Sequence, residues 1–170
     1  MSTTDHPTFV LVQPCLHHNL LIGLSPRNPP GSHRSAKKAN DLLPDYQPGT
    51  ETILLVEDEE ALRHVITDSL EQLGYRVLAA NSGDDALTIC ATYGEEIHLL
   101  LVDVLLPEMK GPELAQKILA LRPQMKVIYV SGYPRPVLEP YGELEPGAIL
   151  LQKPFSIKIL SAKLRQALDG

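Results

Sequence analysis

A chain of 170 residues has room for one ordinary domain plus an extension. Its formal charge of −6 is unevenly spread: residues 51–170 carry 18 of the 21 acidic residues and 11 of the 15 basic ones. An acidic domain without a basic stripe argues against direct binding to nucleic acid, and the lack of any 18-residue apolar run argues against a membrane span.

Two cysteines, Cys15 and Cys90, have no metal-type spacing, so free thiols in a reduced compartment are expected. The apolar patch from Phe9 to Leu24 is broken by Gln13, Pro14, His17, His18 and Asn19 and has no basic segment ahead of it. It makes a poor signal peptide, and a cytoplasmic protein is expected. Residues 1–50 hold 7 of the 15 prolines, including Pro29-Pro30-Gly31, and show neither helical nor strand period. They read as a largely disordered leader or linker, with the domain spanning 51–170. His17-His18, with no third ligand nearby, read as solvated residues.

After Thr50 the pattern changes. Ile53 to Val56 is a continuous apolar run, as in a strand covered on both faces, and it ends in Glu57-Asp58-Glu59-Glu60. Leu62, Val65, Ile66, Leu70 and Leu73 then recur at helical spacing, with Gly74 as the stop. Tyr75 to Ala80 reads as a second strand. Ser82 to Asp85 reads as a capping box opening a helix whose inner face is Ala86, Leu87, Cys90 and Tyr93.

Ile97 to Val102 is the third strand, ending at Asp103. Gly111-Pro112 opens a third helix with the stripe Leu114, Ala115, Ile118 and Leu121. Val127 to Val130 is the fourth strand and Ala148 to Leu151 the fifth. Between them Pro134, Pro136 and Pro140 crowd the fourth helix, and interior proline costs ~3 kcal/mol, so that helix should be short, displaced or absent. Ser156 caps a last helix that buries Ile157, Leu160, Leu164 and Leu168.

Strands alternating with helices through short loops give an α/β, doubly wound (βα)5 unit. Right-handed crossovers place helices on both faces of a five-stranded parallel sheet of order 2-1-3-4-5. Ligands bind such sheets beyond the carboxyl ends of the strands. That edge collects Glu57 and Asp58 from the first strand, Asp103 from the third, Ser131 from the fourth and Lys153 from the fifth. Two carboxylates at ~4 Å repel by ~4 kcal/mol at an effective dielectric near 20, so the cluster needs a counter-charge. Hard oxygen ligands with open positions suit Mg²⁺, which also takes phosphate oxygens. A carboxylate can attack phosphorus to give an aspartyl phosphate, and phosphoryl transfer needs mainly positioning and charge neutralisation.

Residues 51–170 resemble the receiver domain of two-component response regulators, whose fold is flavodoxin-like. The resemblance is carried by Glu57-Asp58, by Asp103-Val-Leu-Leu-Pro107-Glu-Met-Lys-Gly111, by Ser131 in Val127-Ile-Tyr-Val-Ser131-Gly132-Tyr133, and by Gln152-Lys153-Pro154-Phe155. It implies that Asp103 is the phosphoacceptor, with Ser131 the switch hydroxyl and Lys153 the phosphate contact. Asp58 and Asp103 are then direct Mg²⁺ ligands, Glu57 acts directly or through water, and the backbone carbonyl of Leu105 completes the set. The implied donor is a phosphohistidine on a sensor histidine kinase or histidine phosphotransfer protein, with a cis bond at Lys153-Pro154. On this reading the chain is a switch with an unnamed output partner rather than an enzyme. One departure from the family is Leu150, where an aromatic residue is common. Two alternatives stand beside it: a haloacid-dehalogenase-type phosphatase, which would want an acid where Leu105 stands, and an interaction module that works without phosphorylation.

Overall fold

The computed structural model describes residues 9–12, 20–23, 48–138, 144 and 147–170; Cys15, His17, His18 and Pro140 lie outside them. Two short strands, β1 (Phe9–Val12) and β2 (Leu20–Gly23), pair antiparallel with Val10 opposite Ile22. No strand was expected in this leader. Both are apolar throughout apart from Gly23, so they lack the polar alternation that marks a half-exposed strand.

The domain itself follows the expected order: β3 (Thr52–Val56), α1 (Glu60–Gln72), β4 (Arg76–Ala80), α2 (Gly83–Thr92), β5 (Leu99–Asp103), α3 (Gly111–Leu121), β6 (Lys126–Ser131), α4 (Arg135–Leu138), β7 (Ile149–Gln152) and α5 (Ile157–Leu168). The five later strands form one sheet in the order β4-β3-β5-β6-β7, with every pairing parallel. Counted within the domain, this is the order 2-1-3-4-5.

Side chains alternate across a strand, so a continuous apolar run feeds two cores at once. Ile53, Leu55, Leu99, Leu101, Ile128 and Val130 pack with α1 and α5. Leu54, Val56, Leu100, Val102 and Tyr129 pack with α2 and α3 on the other face. β3 and β5 are buried along their whole length, which fixes the two central strands whose ends carry the acids.

Helix ends match local chemistry. After α1, Gly74 has φ +94°, donates to the Glu71 carbonyl at 3.0 Å, and lets Tyr75 N–H reach the Leu70 carbonyl at 3.1 Å. This pair of hydrogen bonds closes the helix in the left-handed turn that glycine adopts without strain. Ser82 and Ser156 cap α2 and α5 by accepting from Asp85 N–H at 3.2 Å and Ile159 N–H at 3.3 Å. The return bond is donated by Asn81 N–H to Asp85 Oδ2 at 3.3 Å, one residue short of a closed capping box. The fourth helix is indeed short, 4 residues, between Pro134 and the end of the described segment. One core assignment is corrected. Leu121 is 55% exposed because it is the last residue of α3, where the helix has already left the sheet. Among the described residues no helix is long and apolar enough to cross a membrane.

Candidate functional site

The carboxyl edge gathers four side chains that the sequence spreads over nearly 100 positions. Glu57, Asp103, Ser131 and Lys153 are all buried there, at 3%, 5%, 0% and 5% exposure. Lys153 Nζ donates to Asp103 Oδ2 at 2.5 Å and to Glu57 Oε2 at 2.9 Å. Asp103 Oδ1 accepts from Leu105 N–H at 2.7 Å, so both oxygens of this carboxylate are held. Ser131 serves twice: its hydroxyl accepts from Tyr133 N–H at 3.0 Å, and its carbonyl accepts from Lys153 N–H at 2.7 Å. The second bond ties the start of the Lys153 loop to the end of β6. The Lys153-Pro154 bond is cis, as the resemblance implied.

Two details differ from the sequence reading. Lys153 does not face Asp103 alone but bridges it to Glu57, because the ends of β3 and β5 are adjacent and the longer glutamate side chain reaches the ammonium. Asp58, expected beside Asp103, is exposed and makes no side-chain hydrogen bond among the described residues. Among those residues no three His, Cys, Asp or Glu side chains gather closely enough to make a ready metal cage.

The electrostatics follow from this geometry. Burial pushes the Glu57 carboxyl up to about 7; the Lys153 ammonium opposes the rise, and the charges of Asp103 and Asp58 reinforce it. Lys153 is desolvated, which lowers its pKa, but Asp103 and then Glu57 outweigh that and raise it. The two shifts look contradictory for one ion pair. They are reconciled because one ammonium serves two carboxylates. Asp103 is the nearer of the two, and Glu57 carries the surplus negative charge.

That surplus is the test of fit for a divalent cation. The buried oxygens there belong to two carboxylates, Glu57 and Asp103, set against the single Lys153 ammonium. Such a set suits Mg²⁺.

Gly111 belongs to the site as well as opening α3. It lies against the strand end that bears Asp103: a Cβ there would collide with the Asp103 carbonyl and come within 2.9 Å of Val104 Cα. Its N–H donates to the Val104 carbonyl at 3.0 Å. The spacing Asp103 to Gly111 was visible, but the close approach that requires glycine was not. Leu150 stands across from Tyr129 in the β6–β7 register, and Tyr129 is buried.

A doubly wound parallel sheet with acids and a lysine converging at its carboxyl edge defines a class of ligand-binding α/β proteins. The family model for the response regulator receiver domain matches residues 53–165, and the chain belongs to that family, the receiver domain of two-component systems. It is 36% identical over 136 residues to the sensor kinase CckA of Brucella abortus (strain 2308), a match covering 80% of this chain and 14% of the kinase. It is 32% identical over 116 residues to the response regulator receiver protein CpdR of the same organism, covering 68% of this chain and 95% of that protein. Among solved structures, the receiver domain of the hybrid histidine kinase CckA superposes with a TM-score of 0.59 at 37% identity, covering 69% of this chain and 98% of that one. The chemotaxis protein CheY4 of Vibrio cholerae, at 22% identity and a TM-score of 0.63, covers 71% of this chain and 100% of its own, and shares the fold.

Proposed function

We propose that this chain is a Mg²⁺-dependent phosphoacceptor whose Asp103 takes a phosphoryl group from a phosphohistidine and whose altered surface is then read by a partner. The observation that carries the proposal is the buried Asp103–Lys153 pair at 2.5 Å, at the strand end where this fold binds ligands. The nucleophile is an Asp103 carboxylate oxygen. It forms a bond to phosphorus as the phosphorus–nitrogen bond of the donor breaks, and the electron pair leaves with the imidazole. Asp103 Oδ1 is held by Leu105 N–H and Oδ2 by Lys153, so the carboxylate is oriented before the donor arrives, which is where much of the barrier is removed.

When the phosphoryl group is in place, the Lys153 ammonium can follow the charge from the carboxylate to a phosphoryl oxygen. Ser131 can exchange its bond from Tyr133 N–H for one donated to phosphate. Glu57, Asp58, Asp103 and the Leu105 carbonyl would hold the metal, which supplies charge neutralisation at the transferring group. Residues 1–50 are assigned as a leader or linker to the receiver at 51–170, and the protein as cytoplasmic. The donor is a sensor histidine kinase or a histidine phosphotransfer protein.

Beryllofluoride, which mimics a phosphoryl group on a carboxylate, tests this directly. With Mg²⁺ it should raise the melting temperature of the wild type and leave that of Asp103→Asn unchanged. An unchanged melting temperature in the wild type would refute the proposal.

A further inference from the structure

The acid pair Glu57-Asp58 sits in the short segment between β3 and α1, and little of the usual hardware holds that segment. The N-cap of α1 is Glu59, which makes no side-chain capping bond, whereas Ser82 and Ser156 cap α2 and α5. Glu57 N–H is anchored to the Ala80 carbonyl at 3.2 Å, but among the described residues no hydrogen bond runs from the sheet to Asp58. What reaches the segment comes from within the helix. Arg63 Nη1 donates to the Glu57 carbonyl at 2.8 Å and to the Asp58 carbonyl at 3.3 Å. Its own N–H donates to the Glu59 carbonyl at 2.9 Å. One residue therefore donates to three consecutive carbonyls, those of Glu57, Asp58 and Glu59.

We propose that Arg63 is the positioning residue of the acid pair: by holding three successive carbonyls it fixes the backbone from which Glu57 and Asp58 project, and thereby sets the site's affinity for Mg²⁺. The proposal rests on the phosphoacceptor reading for the identity of the cation. It needs arginine, since both side-chain bonds leave from one nitrogen, Nη1, that a planar guanidinium holds in place, while a lysine ammonium is a point charge on a flexible stem. The effect works through an outer layer of bonds that orient the ligands, and removing such bonds costs roughly 10- to 100-fold in metal affinity.

A purely electrostatic role predicts the opposite sign. Arg63 is a cation beside a cation site, so deleting its charge would tighten Mg²⁺ binding, and a lysine would leave it unchanged. The experiment measures Mg²⁺ binding to the full chain by calorimetry for wild type, Arg63→Ala and Arg63→Lys. Amide hydrogen exchange at Asp58 to Glu60 is followed in metal-free protein. Positioning predicts about 10-fold weaker Mg²⁺ binding in Arg63→Ala, weaker binding also in Arg63→Lys, and faster exchange at those amides in both. It also predicts that phosphorylation recovers as Mg²⁺ is raised to saturation.

Equal or tighter Mg²⁺ binding by Arg63→Ala overturns the proposal. Should that variant fail to fold, Arg63→Lys decides alone: wild-type affinity overturns the proposal and weakened affinity supports it. A wild type that binds no Mg²⁺ overturns the phosphoacceptor reading and this inference with it. Wild-type binding matched by both variants overturns this inference alone.

Discussion

Replacing Glu57 by glutamine should abolish a pH dependence of stability that the wild type owes to one buried carboxyl. Glu57 is 3% exposed, and burial, opposed by Lys153 and reinforced by Asp103 and Asp58, lifts its pKa from 4.5 to about 7. A carboxyl whose pKa is raised on folding stabilises the native state when protonated. Its contribution is complete below the unfolded value and is lost as pH rises through the folded one. At about 1.4 kcal/mol per pH unit, the interval between those two values is worth about 3 kcal/mol. Metal-free wild type should therefore lose about 3 kcal/mol relative to Glu57→Gln between about pH 4.5 and pH 8.

Comparing the two proteins cancels the opposing titration of ordinary carboxylates. Lys153 retains Asp103 as its partner in the variant. The assay is urea unfolding in chelator across that pH range, read as the difference between the two proteins. Added Mg²⁺ should act in the reverse sense, stabilising the wild type most where Glu57 is ionised. At 100 times its Kd that amounts to ~2.7 kcal/mol. Parallel pH profiles for wild type and Glu57→Gln would show that folding does not raise the pKa of the Glu57 carboxyl.

Gly111→Ala should destabilise the domain by ~1–3 kcal/mol, the usual cost of forcing atoms into a packed region, because its Cβ would meet the Asp103 carbonyl. It should also weaken beryllofluoride binding, while a variant as stable and as responsive as wild type would mean that the strand end relaxes freely. The phosphorylated form should be long-lived. Of the half-buried pair beside the Asp103 and Ser131 ends, Leu105 has no polar atom to orient a hydrolytic water and Tyr133 is bulky enough to restrict its approach, and misplacement by ~1 Å costs on the order of 100-fold. Phosphoryl loss after donor removal should be faster in Leu105→Asn/Tyr133→Ala, and an unchanged half-life would refute the point.

The sheet was legible because a strand buried on both faces must be apolar at every position. Ile53–Val56 and the run into Asp103 meet that demand, and their order then places Glu57, Asp103, Ser131 and Lys153 at one edge. The helices were legible from their period and caps, with Leu121 misplaced because periodicity does not say where a helix leaves the sheet. What the sequence could not show depends on side-chain reach and backbone approach. The bridge from Lys153 to Glu57 needs the strand ends in register. Gly49, read as leader, lies buried so close to the Tyr75 ring that no Cβ fits, and its N–H donates to the Leu73 carbonyl at 2.9 Å. Arg63 carried one readable signal, a guanidinium in the first turn after an acid pair, which gains meaning only once Glu59 is seen to lack a capping bond.

The most direct test of the central claim is to locate the acyl phosphate itself. Protein treated with acetyl phosphate and Mg²⁺ is reduced with borohydride, which converts an aspartyl phosphate to homoserine, and the peptides are sequenced by mass spectrometry. Homoserine should be found in place of Asp103 and at no other aspartate, and it should be absent when Mg²⁺ is withheld. Reduction at Asp58 or another acid, or none under conditions where the protein is folded and Mg²⁺-bound, would contradict the account.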